Sequence, residues 1–457
     1  MRVLFWFRKD LRLEDNAGLA QAARDGDVVP FYSSEPAILG RPDIAATRVR
    51  FVLDALADLA AACERAGSHL ALDHGDAVET VLRTARLCGA DAVYWNDEYE
   101  PALRARDEAV ERALRAAGVR VRRFHDRLLV APGAVMNKAG DPFVVYTPFR
   151  RACEELPLPV PVPDVTRLAP HDLPRKRVAT LARLGFAEPA EARWEGGATA
   201  ARARLEAFLD NGLARYDSER DLPAASAGSR LSADLRFGTI SVRTVAARVL
   251  ARGSAAAAKF VSELRWRDFY AHVLFHFPHV ETGAFRSEFD ALEWDGDPDL
   301  LEAWRVGGTG YPMVDAGMRE LAATGFMHNR LRMIVASFLT KDLLLDWRLG
   351  ERHFMNHLAD GDLASNNGGW QWAAGTGTDA QPYFRIFNPQ LQGEKFDSEG
   401  GYVRRWVPEL SKVSKRYVHR PWEAPPLERA AWDYPERVVV HEDQRPLALA
   451  MYGAVRS

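Results

Sequence analysis

Four side chains within eight residues give the first sign of chemistry: Glu263, Trp266, Arg267 and Tyr270. On a helix, the spacing i, i+3, i+4 and i+7 sets a carboxylate, an indole, a guanidinium and a phenol on one face. A packing face would carry Leu or Ile at these positions. This one suits an indole on which a flat ring stacks, with Glu263 reading the edge of that ring. A half-buried helix with a local Glu–Arg pair would use the same residues, so the stripe needs company.

Two further segments supply it. From Phe326, FMHNRLRMIVASFLTKDL reads as a helix with Asn329, Arg332, Met333 and Ala336 on one face and Arg330 on another. A face that begins polar and turns apolar suits a helix whose N-terminal end lines a site. Residues 360–379, DGDLASNNGGWQWAAGTGTD, hold three aspartates, two asparagines, two tryptophans and five glycines. Such a composition is not expected to form an ordinary core. Asp360 and Asp362 lack nearby histidines or further carboxylates, so a metal site is disfavoured. A flat, polar-edged cofactor fits better: Asn and Asp meet ring nitrogens and carbonyls, and glycines permit close backbone approach. Gly228-Ser229-Arg230-Leu231-Ser232 is a hydroxyl-bearing turn at a helix start, apt for a phosphate.

Elements must position these groups. The first 125 residues alternate apolar runs (Val3–Phe7, Val28–Tyr32, His69–Leu72, Ala92–Trp95, Val119–Phe124) with helix-like segments such as 48–66 and 101–117. That alternation predicts a parallel sheet covered by helices. No G-x-G-x-x-G follows the first run, which disfavours a nicotinamide dehydrogenase. Residues 157–174 are proline-dense and read as an extended linker. Beyond about 196, helical periodicity dominates, with helices expected at 199–210, 241–252, 256–276, 312–323, 326–346 and 351–358. The fold class is therefore α/β plus all-α: a Rossmann-like domain over 1–125, a linker over 126–195 and a helical domain over 196–457.

Composition bounds the rest. Of 457 residues, 47% are apolar and 27% charged, values of a globular chain. No run approaches the ~18 apolar residues of a membrane helix. The N-terminus lacks the zones of a secretion signal, and three scattered cysteines argue against a disulfide or iron–sulfur framework. A cytoplasmic monomer without membrane contact is expected. The net charge of −3 confines any nucleic-acid site to a local patch.

The ordered motifs WFRKDLRLEDN, YDSERDLPA, SRLS, ELRWRDFY, TGYPMVDAGMREL, TGFMHNRLRMIVASFLTKDLLLDWR, DGDLASNNGGWQWAAGTGTDAQPYFRIFNP and GEKFD run the length of the chain. Together they resemble the DNA photolyases and cryptochromes, most closely a bacterial class I cyclobutane pyrimidine dimer photolyase. The resemblance implies one FAD in the helical domain and an antenna chromophore on the N-terminal one. It implies light-driven repair of flipped-out dimers by electron transfer from excited reduced FAD, on ultraviolet-damaged DNA, duplex favoured.

By the same resemblance, Tyr216, Ser229, Leu231 and Ser232 hold the phosphates and ribitol. Arg267, Asn329, Arg332, Asp360 and Asp362 surround the ribityl and ring portions, with Arg332 paired to Asp360. Asn366 faces flavin N5. Family members have threonine where this chain has Gly228, which puts one phosphate contact in doubt. Trp266 and Trp372 bracket the damaged bases, Glu263 and Met333 touch them, and Arg220, Arg330 and Arg385 take the flanking phosphates. Trp294, Trp347 and Trp370 match the tryptophan series that photoreduces oxidised FAD.

The alternative within the family is a light-signalling cryptochrome. The lack of a C-terminal extension and Asn366 in place of aspartate count against it. Asn329 and Met333 stand where (6–4) repair relatives carry histidines. A plain flavin electron carrier would not need Trp266, Glu263 and the arginines. For the antenna, Ala102-Leu103 replaces the Asn-Glu pair of folate-binding relatives. A deazaflavin is therefore favoured over folate, with Glu98, Glu100 and Arg48 as candidate contacts.

Overall fold

The computed structural model describes residues 1–189, 194–225, 227–380 and 382–455. Five strands, β1 (Arg2–Phe7), β2 (Asp27–Ser34), β3 (Ala71–His74), β4 (Ala92–Asn96) and β5 (Arg120–Phe124), overlap the five apolar runs, β3 lying two residues later than its run at 69–72. They form one parallel sheet in the order β3-β2-β1-β4-β5. Between them run α1 (Ala17–Asp25), α2 (Ala46–Arg65), α3 (Ala77–Leu87) and α4 (Pro101–Ala116). β1 reads as an unbroken apolar run because both faces of the sheet are covered. Val3, Phe5 and Phe7 pack with Phe51, Ala55 and Leu59 of α2. Leu4 and Trp6 turn the other way, onto a core containing Val81 of α3 and Leu114 of α4.

The chain divides into two compact units. The first comprises 1–217, 229–278 and 359–364; the second comprises 218–228, 279–358 and 365–457. Within the first, the segment after β5 carries α5 (Tyr146–Glu154). The proline-dense run 157–174 forms neither helix nor strand, and its Val165 and Leu168 enter the core beneath the sheet. Four helices follow: α6 (Ala198–Ala207), α7 (Ser232–Phe237), α8 (Val242–Leu250) and α9 (Ala255–His276). The Ser254 side chain starts α9 by accepting from the amide of Ala257 at 3.1 Å, an ordinary N-cap.

The second unit is helical among its described residues. Its core is assembled from α10 (Pro298–Val306), α11 (Pro312–Thr324), α12 (Asn329–Ser337), α13 (Trp347–His357) and α14 (Leu363–Ala374). Two expectations need correction here. The helix predicted over 326–346 is an α-helix only over 329–337. It starts late because the His328 side chain caps it, accepting from the Arg330 amide at 3.1 Å, and after Ser337 it widens into a π turn over Phe338–Asp342. The glycine-rich stretch is the second correction. Its residues 363–374 form α14, and Trp370, Ala373 and Ala374 sit in the main core of this unit. Local propensity disfavours helix at Gly368-Gly369, but packing of the buried face overrides it. Gly350 of α13 makes the room: a Cβ there would come within 2.1 Å of the Trp370 ring.

Candidate active site

α9 delivers the predicted stripe. Glu263, Trp266, Arg267 and Tyr270 are all half-buried, while Leu264, Asp268 and Phe269 between them are buried. Trp266 is held flat: its ring stacks on Tyr146 of α5 with centroids 3.7 Å apart and planes 12° from parallel. Tyr146 is itself anchored, donating its hydroxyl to the Ser262 carbonyl at 2.6 Å. One face of the indole is thus occupied and its orientation fixed. Glu263, one turn earlier, has Lys259 at 3.1 Å. Tyr146 escaped the sequence reading, because nothing in VYTPFR marks it as a partner for a residue 120 positions on.

Arg267 looks into a chain of buried charges in the same unit. Its guanidinium donates to the Leu235 carbonyl at 2.7 Å and to the Arg127 carbonyl. Burial, with the Arg127 charge nearby, pulls it down to about 10. Asp362 faces Arg236 at 3.1 Å and Arg127 at 3.6 Å. Burial pushes the Asp362 carboxyl up, but Arg236 and Arg127 outweigh it and hold the group below the usual carboxylate range. Arg236 also pairs with Glu100 at 2.8 Å, and Arg127 with Glu98 at 2.6 Å. Arg127, Arg267, Glu100 and Asp362 line one narrow cavity, together with Tyr99, Leu128 and Ala364. The Arg127 Nε is buried there without a hydrogen-bond partner, a costly state for a charged donor. Two guanidinium groups, two carboxylates and an unmatched donor offer hydrogen bonds to a polar ring edge or an anionic group.

The other predicted contacts of this unit are modestly furnished. Tyr216 packs edge-on against Phe208 and Phe260. The Ser229 Oγ accepts from the Leu231 amide at 3.4 Å, and α7 begins at Ser232 without a side-chain cap. Leu231 is buried among Leu235, Ile240 and Phe260, so its backbone rather than its side chain is what could meet a phosphate. A Cβ added at Gly228 would meet nothing within 4 Å. Asp360 is 9% exposed.

In the second unit, Asn366 is buried and its Nδ2 donates to the Glu351 carbonyl at 3.0 Å, which orients the side-chain amide and directs its carbonyl oxygen the other way. Arg332 Nε donates to the Met327 carbonyl at 2.9 Å, and the Asn329 amide approaches the Met333 sulfur at 3.9 Å. Arg330 pairs with Asp221 at 2.9 Å and lies 4.3 Å over the Phe396 ring. Arg385 is exposed, whereas Arg220 and Trp372 are half-buried. Trp347 and Trp370 belong to one core, with Trp294 packed against it. Trp370 meets Trp304 and Phe354 edge-on, and Trp294 meets Tyr452 edge-on at 6.1 Å.

A second, larger cavity of about 910 Å³ opens in the first unit at the carboxyl ends of β1, β2 and β3, the usual ligand position on an open parallel sheet. Lys9, Arg48, Glu98 and Leu103 are among its lining residues. Of the three expected antenna contacts, Arg48 and Glu98 line this cavity. Glu100 belongs instead to the charge chain leading to Asp362.

Two family descriptions match the chain: "DNA photolyase" over residues 3–165 and "FAD binding domain of DNA photolyase" over residues 260–454. The chain is 42% identical to the deoxyribodipyrimidine photo-lyase of Synechococcus, covering 100% of this chain and 97% of that one. The chain belongs to the DNA photolyase family. Its fold matches a bacterial class III photolyase from Agrobacterium tumefaciens with a TM-score of 0.93 at 42% identity, covering 100% and 98% of the two chains. It also matches a Synechocystis cryptochrome with a TM-score of 0.92 at 28% identity, covering 98% and 99%. The fold is common to photolyases and a cryptochrome, and a class III structure stands this near, so likeness fixes the family and not the class. Among the described residues no helix is long and apolar enough to cross a membrane.

Proposed function

We propose that this family member is a deoxyribodipyrimidine photo-lyase that repairs cyclobutane pyrimidine dimers in ultraviolet-damaged DNA, a class I enzyme acting on duplex. The observation that carries the reading is the construction of α9. One rigid helix presents Glu263 and the Tyr146-backed Trp266 on its half-buried face and sends Arg267 into the charged cavity beside Asp362. A lesion reader and a cofactor holder are thereby fixed to the same scaffold.

FAD is the group this donor set fits. Arg267, Asp360 and Asp362 hold its polar portions together with Asn329 and Arg332, while Tyr216, Ser229, Leu231 and Ser232 receive the phosphates and ribitol. Asn366, its Nδ2 committed to the Glu351 carbonyl, offers its carbonyl oxygen as an acceptor for the N5 proton of reduced flavin. Bound, photoexcited reduced FAD supplies the electron that splits the cyclobutane ring and then recovers it.

The protein's own work is binding and exclusion. A dimer inside a duplex cannot reach an enclosed cofactor, so it must be flipped out, and damage lowers the unstacking cost. Trp266 and Trp372 repay that cost by stacking, worth about 1–3 kcal/mol per base. Glu263 and Met333 contact the flipped bases. Arg220, Arg330 and Arg385 bind the flanking phosphates without reading sequence, which for Arg330 requires exchanging Asp221 for a phosphate. Trp294, Trp347 and Trp370 are large core residues whose oxidisable indoles also pass a hole outward when oxidised FAD is photoreduced. The 910 Å³ cavity takes the antenna, a deazaflavin in preference to folate, against Arg48 and Glu98.

The test is light-dependent loss of dimers from an irradiated duplex by the flavin-reduced protein. Glu263→Ala should keep normal flavin content and repair fewer dimers per photon. An absorption spectrum of the purified protein identifies both chromophores, and folate in the large cavity would refute the deazaflavin assignment. A protein that reduces its flavin in light yet leaves dimers intact would be a signalling member.

A further inference from the structure

The narrow and the large cavity share a wall of charge. Lys9, on the loop after β1, lines the large cavity with Glu98. Its ammonium lies 2.6 Å from Glu100 and 3.4 Å from Glu98. Glu100 in turn holds Arg236, and Arg236 holds Asp362. Every member is at least four-fifths buried, so screening by water is weak and each charge leans on the next.

The backbone makes this path rigid. Gly238, at the end of α7, has φ +61°, and a Cβ there would fall 2.4 Å from the Lys9 carbonyl oxygen. Only glycine allows that approach. The amide of Leu11 also donates to the Phe237 carbonyl at 3.2 Å. The Lys9 loop is thereby pinned to the helix that carries Arg236. A second bond fixes the far end: Arg236 Nε donates to the Gly361 carbonyl at 3.0 Å, next to Asp362.

We infer that Lys9 is a positioning residue for the flavin site, acting from the large cavity through Glu100 and Arg236 on Asp362. The inference rests on the reading above, in which FAD uses Asp362 and an antenna molecule fills the large cavity. While Lys9 is charged, Glu100 is served from two sides, and Arg236 can give its remaining donors to Asp362 and the Gly361 carbonyl. When Lys9 loses its proton, Glu100 loses its nearest cation and leans harder on Arg236, with only the more distant charges of Arg127 and Arg48 beside it, which draws Arg236 away from Asp362.

Burial, followed by the Arg236 charge, pulls Lys9 down to about 8, against the opposing pull of Glu100 and Glu98; Arg127 adds to the lowering. The ammonium therefore persists below pH 8 and fades above it. An anionic molecule lodged in the large cavity against Lys9 would preserve the ammonium at higher pH. FAD retention then depends on what occupies the other cavity, and the coupling is reciprocal.

The experiment measures FAD release from the holoenzyme by the fluorescence of free flavin, at pH 7 and pH 9, with and without 8-hydroxy-5-deazaflavin. Without the deazaflavin, affinity should fall about fivefold or more between the two pH values, and the deazaflavin should largely abolish that fall. Lys9→Met should bind FAD weakly at both pH values and ignore the deazaflavin. Lys9→Arg, charged throughout, should bind tightly at both. A Lys9→Met protein with the wild-type affinity and pH profile overturns the inference. If Lys9→Met does not fold, the Lys9→Arg profile decides, and an undiminished fall at pH 9 overturns it. Asp362→Asn separates the two levels of argument. FAD loss in Asp362→Asn with a silent Lys9→Met sinks only the role of Lys9. Unaltered FAD binding in Asp362→Asn sinks the flavin assignment beneath it.

Discussion

A single aromatic pair fixes the indole of α9 that is proposed to meet a damaged base. Trp266 could have been a core residue with no second role, but its stack on Tyr146 leaves it half-buried and rigid, as a platform should be. Trp266→Ala removes about 1–3 kcal/mol of stacking if bases rest there, so dimer binding should weaken about fivefold to a hundredfold. Undamaged DNA, held by arginine–phosphate contacts, should bind nearly as before. Paired titrations at one salt concentration, with a dimer-containing duplex and its undamaged twin, check this; equal weakening on both would assign Trp266 to the fold. Gly228 invites the opposite kind of change. With nothing within 4 Å of an added Cβ, Gly228→Thr should fold normally and slow FAD release severalfold by restoring a hydroxyl at the phosphate turn. Faster release would show that the turn relies on an uncrowded backbone.

At the scale of elements, the widened turn after α12 carries an unusual burden. Lys341 is 1% exposed, donates to the Ala374 carbonyl at 2.8 Å and lies 3.4 Å over the Tyr452 ring. The ring would favour the ammonium, yet burial dominates and holds the group well below its ordinary value. The sign follows from linkage. The unfolded chain keeps this proton up to about pH 10.4 and the folded protein gives it up earlier, so this group's contribution to stability rises with pH between the two values. Lys341→Met should therefore raise stability at pH 7, by on the order of 1 kcal/mol, and flatten the rise toward pH 10. Calorimetry of both proteins across that range is the check; a destabilised variant with an unchanged pH slope would mean the lysine is folded in its charged form. The same turn shows why periodicity misread this helix. Phe338 and Leu339 are buried whichever turn follows, so periodicity cannot tell an α turn from a π turn there, and Thr340, Lys341 and Asp342 are buried with them, the last held by His441 at 2.5 Å.

For the whole molecule, the tryptophans set function against packing. Trp347 is 1% exposed, with the Arg348 guanidinium 4.7 Å from its ring centroid. Phenylalanine keeps most of that apolar volume but is far harder to oxidise. Trp347→Phe should block photoreduction of oxidised FAD and leave repair intact once the flavin is reduced chemically. Loss of repair by the pre-reduced variant would contradict a role confined to hole transfer. Net charge works at this scale too. The chain carries −3 overall, so binding must come from a local cationic patch. Affinity for undamaged duplex should fall steeply with salt, with a slope set by the few phosphates engaged; a slope near zero would rule out the arginine contacts.

The sequence by itself determined the two classes of structure and the family. Apolar runs of strand length alternating with amphipathic segments dictate a parallel sheet, because burial on both faces and the strand–helix alternation are written locally even though the strands pair residues as far apart as Val3 and Ala92. Long ordered motifs marked the family, and with it the residues proposed to meet flavin and lesion, in the same way. What only the tertiary structure decided are the contacts between distant segments. Tyr146 under Trp266, Arg236 between Glu100 and Asp362, and Lys9 paired with two carboxylates at a cavity wall have no local signature. α14 is of the same kind: its glycines argue against helix until Gly350 makes room for Trp370. A residue's propensity is read from its neighbours in sequence, but the free energy of burial is settled by its neighbours in space, and in these places the second outweighs the first.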